Sequence, residues 1–211
     1  MRRRKQETRR RERRKRRIAE DSRRKRNYEQ NRNTMIREKL TGVGVAMITP
    51  FTSDGRVDYQ ALARMIDYVI EGGVDYIVAL GTTAETPTLY MPERAVIAMF
   101  ITNHIAGRVP LVMGCGGNST SEVLDQLRAF ALRGADAILS VTPYYNKPSQ
   151  EGLYQHFRTV SEHSPLPVIL YNIPGRSGVN MTAETTIRQS ESRKGTSRSA
   201  ACSILMLGAY S

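Results

Sequence analysis

The chain has 211 residues, of which 40% are hydrophobic, and this length and composition suit one domain with a buried core. No run approaches the ~20 consecutive apolar residues of a membrane span, so we expect no membrane segment. The two cysteines, Cys115 and Cys202, form neither a disulfide framework nor a metal-ligand spacing, which favours a cytoplasmic location. The net charge of +12 is concentrated at one end of the chain.

The first 40 residues hold 19 lysines and arginines against 6 acidic residues, whereas the remaining chain holds 13 against 14. Residues 1–34 have very few large apolar side chains, so we predict a disordered basic extension there. One interpretation is a nucleic-acid-binding arm, because dense positive charge releases counterions from phosphates. The other, which we prefer, is that the native protein starts at Met35 and that residues 1–34 are not part of it.

Residues 35–189 alternate between short apolar runs and amphipathic segments, which predicts strands and helices in turn. The first strand, 43–48, precedes a helix that begins after the N-cap Asp58 and stops at Gly72-Gly73. The later elements are, in chain order, a strand at 76–80, a helix from Pro92 to Ile105, a strand at 111–113, a helix from Ser119 to Gly134, a strand at 137–141, a helix from Gln150 to Glu162 and a strand at 168–171.

Strands that alternate with helices and consist of continuous apolar runs predict a parallel α/β sheet with both faces covered. Two architectures fit this pattern, a doubly wound sheet and a (β/α)8 TIM barrel. Neither a dinucleotide-binding glycine motif nor a P-loop follows the first strand, which favours the barrel. A complete barrel takes ~250 residues, so we predict a TIM barrel truncated after about five β/α units.

Residues 190–211 break this rhythm, since a serine-rich stretch is followed by only a brief apolar end. The sequence predicts no further strand-and-helix unit in this tail. We prefer the interpretation that the tail is a non-native end, such as the product of a frameshift, over a flexible regulatory tail.

In a parallel barrel, catalytic groups lie where strands end and loops begin. Each of these segments has an ordinary explanation, such as a turn glycine or a core tyrosine. Taken together, they predict a site for a 2-oxo acid. Gly81-Thr82-Thr83 offers amides and hydroxyls to a carboxylate, Arg176 offers a bidentate guanidinium, and the tyrosines with the threonines can pass a proton.

Three of these segments resemble the dihydrodipicolinate synthase family, within the superfamily of pyruvate-dependent class I aldolases and N-acetylneuraminate lyase. They are Gly81 to Glu85, Val141 to Gly152 and Leu170 to Gly178. The resemblance covers about residues 40–189. It implies a (β/α)8 barrel that joins pyruvate to L-aspartate 4-semialdehyde in lysine and diaminopimelate biosynthesis, without a metal or other cofactor, in a cytoplasmic homotetramer.

The resemblance also implies roles for particular residues. Tyr171 is the expected proton donor and acceptor, and Thr82 and Tyr145 complete the proton relay, with Tyr145 reaching into the site of a neighbouring subunit. Thr83 is expected to bind the pyruvate carboxylate and Arg176 the carboxylate of the semialdehyde.

A second implied site is the lysine-feedback site of the family, at Asn118, Glu122 and Tyr144. This sequence departs from the family there, because Met91 and Arg94 stand where some members have histidines.

The largest departure concerns the lysine that forms the Schiff base with pyruvate. The position that aligns with it is Ser199, in the unpatterned tail, and we expect neither Lys147 nor Lys194 to substitute. We therefore expect the chain to be inactive. The alternatives are an N-acetylneuraminate lyase or keto-deoxy-sugar aldolase within the same superfamily, and nucleic-acid binding through residues 1–34.

Overall fold

The computed structural model describes residues 18–19, 36–191 and 202–203, with backbone alone for Cys202 and Ser203. The predictions made for residues 1–34, and for most of residues 190–211, lie outside these ranges.

The sheet has six parallel strands, and their order across the sheet is their order along the chain. They are β1 (Gly44–Ala46), β2 (Tyr76–Ala79), β3 (Leu111–Gly114), β4 (Ala137–Val141), β5 (Val168–Tyr171) and β6 (Cys202–Ser203). The five predicted strands are confirmed within a few residues of their expected bounds.

The sixth strand was not predicted. It pairs in parallel with β5, placing Cys202 opposite Val168 and Ser203 opposite Ile169. A strand of two residues depends on the hydrogen-bonding edge of its neighbour and not on an apolar pattern of its own. For this reason no stretch of the tail sequence indicates it.

A helix follows each of β1 to β4, as predicted, and two more helices follow β5. The helices are α1 (Tyr59–Glu71), α2 (Met91–Ile105), α3 (Thr120–Ala129), α4 (Gln150–His163), α5 (Pro174–Ser177) and α6 (Ala183–Glu191). The Asp58 carboxylate caps α1 by accepting from the amide of Ala61 at 2.9 Å, and Ser119 and Ser149 cap α3 and α4 in the same way.

Helix α3 is shorter than predicted, since it ends at Ala129 and not at Gly134. Phe130 leaves the helical conformation (φ −78°, ψ 144°) and its side chain is buried. A 3₁₀ turn at Leu132–Gly134 then leads into β4, and Leu132 is also buried. Burial of two apolar side chains after the helix favours the turn over another helical turn.

Both faces of the sheet are buried, as alternation along β4 shows. Ile138 belongs to the core between the sheet and the helices, whereas Ala137 and Leu139 belong to the core on the opposite, inner face. Ile36 and Leu40, which precede β1, pack in this inner core. Parallel strands in chain order, helices outside and apolar side chains inside form the wall of a TIM barrel.

The wall has two edges, β1 and β6, and neither pairs with a second strand in the described part of the chain. Val43 and Ile48, which flank β1, are 63% and 46% exposed. Across the described ranges, no helix has the length and apolar character needed to cross a membrane.

A histidine in the outer core makes the fold sensitive to acid. His156 of α4 is 5% exposed, its Nδ1 lies 2.9 Å from the Thr120 hydroxyl, and burial lowers its pKa to about 4. An unfolded histidine titrates near 6.5. Between these two values the unfolded chain takes up a proton that the folded chain does not, so stability falls as the pH decreases.

We predict that titration of His156 costs the wild type about 3 kcal/mol of stability between pH 6.5 and pH 4. The variant His156→Gln should not lose this part of its stability. The measurement is urea unfolding across this pH range. His163→Gln, which changes an exposed histidine of the same helix, serves as the control and should leave the slope unchanged. Equal slopes for the wild type and His156→Gln would contradict the prediction.

Candidate active site at the carboxyl ends of the strands

Because the strands are parallel, the carboxyl ends of β2 to β5 lie at one edge of the sheet. A cavity of about 380 Å³ opens there. Its polar walls include Thr82, Tyr144, Tyr171 and Arg176. Among the described residues, no aspartate or glutamate lines it. A cavity of this size, with apolar walls and a guanidinium but no carboxylate, suits a small organic anion.

One wall is a tight turn at the end of β2. Leu80 has a left-handed backbone (φ 53°), which residues with a branched side chain seldom adopt. This turn brings its carbonyl oxygen so close to β3 that a Cβ on Gly114 would lie 1.9 Å from it. The close approach therefore requires glycine at position 114.

Two threonines, of which Thr86 itself lines the cavity, hold the following 3₁₀ turn, Thr82–Ala84. The Thr49 hydroxyl donates to the Ala84 carbonyl at 2.8 Å, and the Thr86 hydroxyl donates to the Gly81 carbonyl at 2.9 Å. Neighbouring side chains on a 3₁₀ turn point about 120° apart. Accordingly Thr82 lines the cavity, whereas Thr83 is exposed and is not part of its wall.

The two tyrosines after β4 have different surroundings. Tyr144 is half-buried and lines the cavity. Tyr145 is 86% exposed, lies outside the cavity wall and has a left-handed backbone (φ 68°). Tyr171, the last residue of β5, is half-buried and lines the cavity. It pairs in register with Val141 of β4.

Arg176 lies in the short helix α5, which the chain after β5 holds in place. The Asn172 side chain donates to Asn180 Oδ1 at 2.7 Å and accepts from the Met181 amide at 3.0 Å, so it closes the loop around α5. The Arg176 side chain is exposed at the cavity and forms no ion pair within the described residues. Its guanidinium is available to an incoming carboxylate.

A second arginine lines the cavity but is already paired. Arg94 of α2 is 8% exposed, and it donates to the Leu89 carbonyl and to the Glu122 carboxylate, both at 2.9 Å. Tyr144 lies beside this pair. Burial raises the pKa of Tyr144, Glu122 raises it further, and Arg94 opposes the change.

The structure thus brings together four of the predicted site residues, Thr82, Tyr144, Tyr171 and Arg176. Thr83, Tyr145 and Asn118 lie outside the cavity wall, and Glu122 is engaged with Arg94.

No catalytic or binding role was predicted for Arg94 from the sequence. The helical pattern nevertheless indicates a buried position for Arg94, because this residue is in phase with the buried residues Ala98, Ile101 and Ile105 of α2. A charged residue on an apolar stripe is buried only with a partner. Within the described ranges, no group of three or more histidine, cysteine or acidic side chains could bind a metal ion.

Comparison with known proteins gives one consistent result. Residues 39–195 match the family model described as the Dihydrodipicolinate synthetase family. A 4-hydroxy-tetrahydrodipicolinate synthase of Parabacteroides distasonis is 55% identical over 149 residues, which are 71% of this chain and 50% of that protein. The chain spans about half the length of the curated relatives it matches.

Comparison with solved structures gives the same family. The dihydrodipicolinate synthase of Acinetobacter baumannii, determined in complex with pyruvate, superposes with a TM-score of 0.73 and 41% identity, covering 81% of this chain and 56% of that one. The enzyme of Aquifex aeolicus gives a TM-score of 0.72 at 36% identity, covering 80% and 63%.

The close approach of Leu80 to Gly114 can be tested directly. We predict that Gly114→Ala lowers the free energy of unfolding by about 3 kcal/mol or more, because a backbone carbonyl has to move. Gly175→Ala, where a Cβ meets no atom within 4 Å, is the control and should change stability by about 0.5 kcal/mol or less. Denaturant unfolding measures both. A tolerated Gly114→Ala would show that the turn at Leu80 is not fixed.

Proposed function

The chain belongs to the dihydrodipicolinate synthetase family, and from this membership and the cavity we propose that it carries part of the active site of a 4-hydroxy-tetrahydrodipicolinate synthase. That reaction condenses pyruvate with L-aspartate 4-semialdehyde through a Schiff base. The observation that carries the proposal is that Thr82, after β2, and Tyr171 and Arg176, at the end of β5 and just beyond it, line one cavity with no carboxylate among its described wall residues.

The cavity would bind its substrates through their carboxylates. The turn Thr82–Ala84, whose carbonyls are held by Thr49 and Thr86, offers the Thr83 hydroxyl and its amides to pyruvate. Thr83 is exposed and lies outside the cavity wall, so a ligand has to extend from the cavity towards it. Arg176 would take the carboxylate of the semialdehyde as a bidentate partner.

Proton transfer would use the Tyr171 and Thr82 hydroxyls, which line the same cavity. Tyr145 would act in the site of a neighbouring copy of the chain. Its 86% exposure and its left-handed backbone support this role, since an exposed, strained aromatic at a cavity mouth is suited to an interface. Assembly as a tetramer and a cytoplasmic location stay predictions of the sequence.

The Schiff base needs an amine that attacks the pyruvate ketone and releases water. Lys147, the one lysine between residues 41 and 189, is exposed and lies outside the cavity wall. The position that the resemblance assigns to the reactive lysine is Ser199, outside the described residues. We therefore propose that this 211-residue polypeptide binds pyruvate without forming the covalent adduct.

The test combines ligand binding with chemical trapping. Saturation-transfer NMR of the 211-residue chain with pyruvate should detect binding, and Thr83→Val should weaken it about fivefold, the effect of losing one hydrogen bond of about 1 kcal/mol. Thr159→Val removes the hydroxyl of a threonine on α4, remote from the cavity, and should leave binding unchanged.

Borohydride reduction in the presence of pyruvate, followed by mass spectrometry, should give no lysine adduct. An adduct on Lys147 or Lys194 would contradict the proposal that the chain lacks the reactive amine. Pyruvate binding that Thr83→Val does not change would contradict the carboxylate site.

The lysine-feedback site is proposed at Asn118, Glu122 and Tyr144. Arg94 competes there with a lysine ligand. A lysine ligand would place an ammonium on the Glu122 carboxylate, which the Arg94 guanidinium already holds at 2.9 Å. Lysine therefore has to displace an internal cation that is itself buried and hydrogen-bonded to Leu89.

We predict that Arg94→Met, which keeps the length of the apolar stem, increases the affinity for L-lysine about tenfold or more. Glu122→Gln in that background should abolish the gain, because the carboxylate is the ammonium acceptor. Calorimetric titration measures both, and thermal unfolding verifies that each variant is folded. Tight lysine binding to the wild type would show that Arg94 does not occupy the site.

A further inference from the structure

The loops after β4 and β5 both reach the cavity, the first through Tyr144 and the second through Arg176. Arg176 is exposed and forms no ion pair within the described residues, so the backbone of α5 sets its position. Groups that bind a ligand together have to be held in place before the ligand arrives. Contacts that join the two loops outside the cavity wall are therefore part of the site.

Gln150, the first residue of α4, makes such contacts. It is half-buried, does not line the cavity, and ends the loop that contains Tyr144. Its Nε2 donates to the Asn180 carbonyl at 2.7 Å, and its Oε1 accepts from the Thr182 amide at 3.1 Å. The same oxygen accepts from the Thr185 hydroxyl at 2.6 Å. Three hydrogen bonds from one side chain thus join the start of α4 to the chain after α5.

The segment that Gln150 binds is also the base of the loop that carries Arg176. Asn172, directly after β5, donates to Asn180 Oδ1 and accepts from the Met181 amide. These bonds close the loop on itself. The bonds of Gln150 differ, because they join the closed loop to the neighbouring β/α unit. Loss of the Gln150 amide would leave the loop closed but free to shift relative to the loop after β4.

Other contacts hold α4 and α6 together. Arg188 of α6 pairs with Glu151 of α4, and its guanidinium lies over the Tyr154 ring at 3.7 Å from the ring centroid. These contacts do not involve Gln150. We therefore expect that removal of its amide leaves the two helices packed and acts on the loop between α5 and α6.

We infer that Gln150 is a positioning residue, which places Arg176 for the carboxylate of the aldehyde substrate without touching that substrate itself. The inference rests on the proposed function, because it takes Arg176 to be the partner of this carboxylate. Gln150 acts through the backbone of residues 180–182 and α5. A loop that is not fixed in advance has to be ordered when the ligand binds, and this ordering weakens binding.

The test uses two ligands, succinate semialdehyde, which is the proposed aldehyde substrate without its amino group, and pyruvate, which probes the Thr82–Ala84 turn. Dissociation constants of the 211-residue chain are measured by NMR titration. Gln150→Met keeps the length of the side chain and removes all three hydrogen bonds. We expect it to weaken succinate semialdehyde about fivefold and pyruvate by less than about twofold.

A double-mutant cycle separates positioning from a general structural role. In an Arg176→Ala background the carboxylate partner is gone, so Gln150→Met should no longer change the affinity for succinate semialdehyde. Gln155→Met is the matched control, because Gln155 lies on the same helix and its Nε2 donates to Glu151 within that helix. This control should leave both constants unchanged, and thermal unfolding verifies that each variant is folded.

Thr185→Val removes one of the three bonds and should weaken succinate semialdehyde about twofold. In the same cycle it carries the test if Gln150→Met does not fold. An equal loss in the Arg176→Ala background, an equal loss for both ligands, or no loss at all would overturn this inference and leave the proposed function in place. A wild-type chain that binds neither ligand would overturn both.

Discussion

The parallel pairing of consecutive strands is the constraint on which the rest of this structure depends. Because each strand runs in the same direction as its neighbours, every strand ends at the same edge, and residues far apart in sequence meet there. Thr82 and Tyr171 are separated by 89 positions of sequence numbering yet line one cavity. Packed side chains cover both faces of the sheet, so the site stands on a close-packed wall.

Much of this wall could be predicted from the sequence, because a buried parallel strand is a short apolar run whatever its neighbours. Val168 to Tyr171 and Ala137 to Val141 were predicted with the bounds that the structure gives. What the sequence could not predict depends on contacts between distant residues. Helix α3 ends early because Phe130 packs inwards, and β6 exists because the edge of β5 accepts it.

The same distinction applies within the candidate site. The sequence predicted which loops converge, but not which side chains of each loop face the cavity. In the pair Thr82 and Thr83, both residues are exposed, but the 3₁₀ turn brings only Thr82 into the cavity wall. In the pair Tyr144 and Tyr145, a left-handed backbone at the second residue turns its ring to solvent. Neither choice is encoded by residue type.

Charge at the site is set by pairing as much as by composition. Arg94 is paired with Glu122, and this leaves Arg176 as the cation of the cavity wall that forms no ion pair within the described residues. In a TIM barrel the groups that bind, that relay protons and that react covalently come from different strand ends. Under the function proposed above, binding at the ends of β2 to β5 is therefore measurable separately from the covalent step.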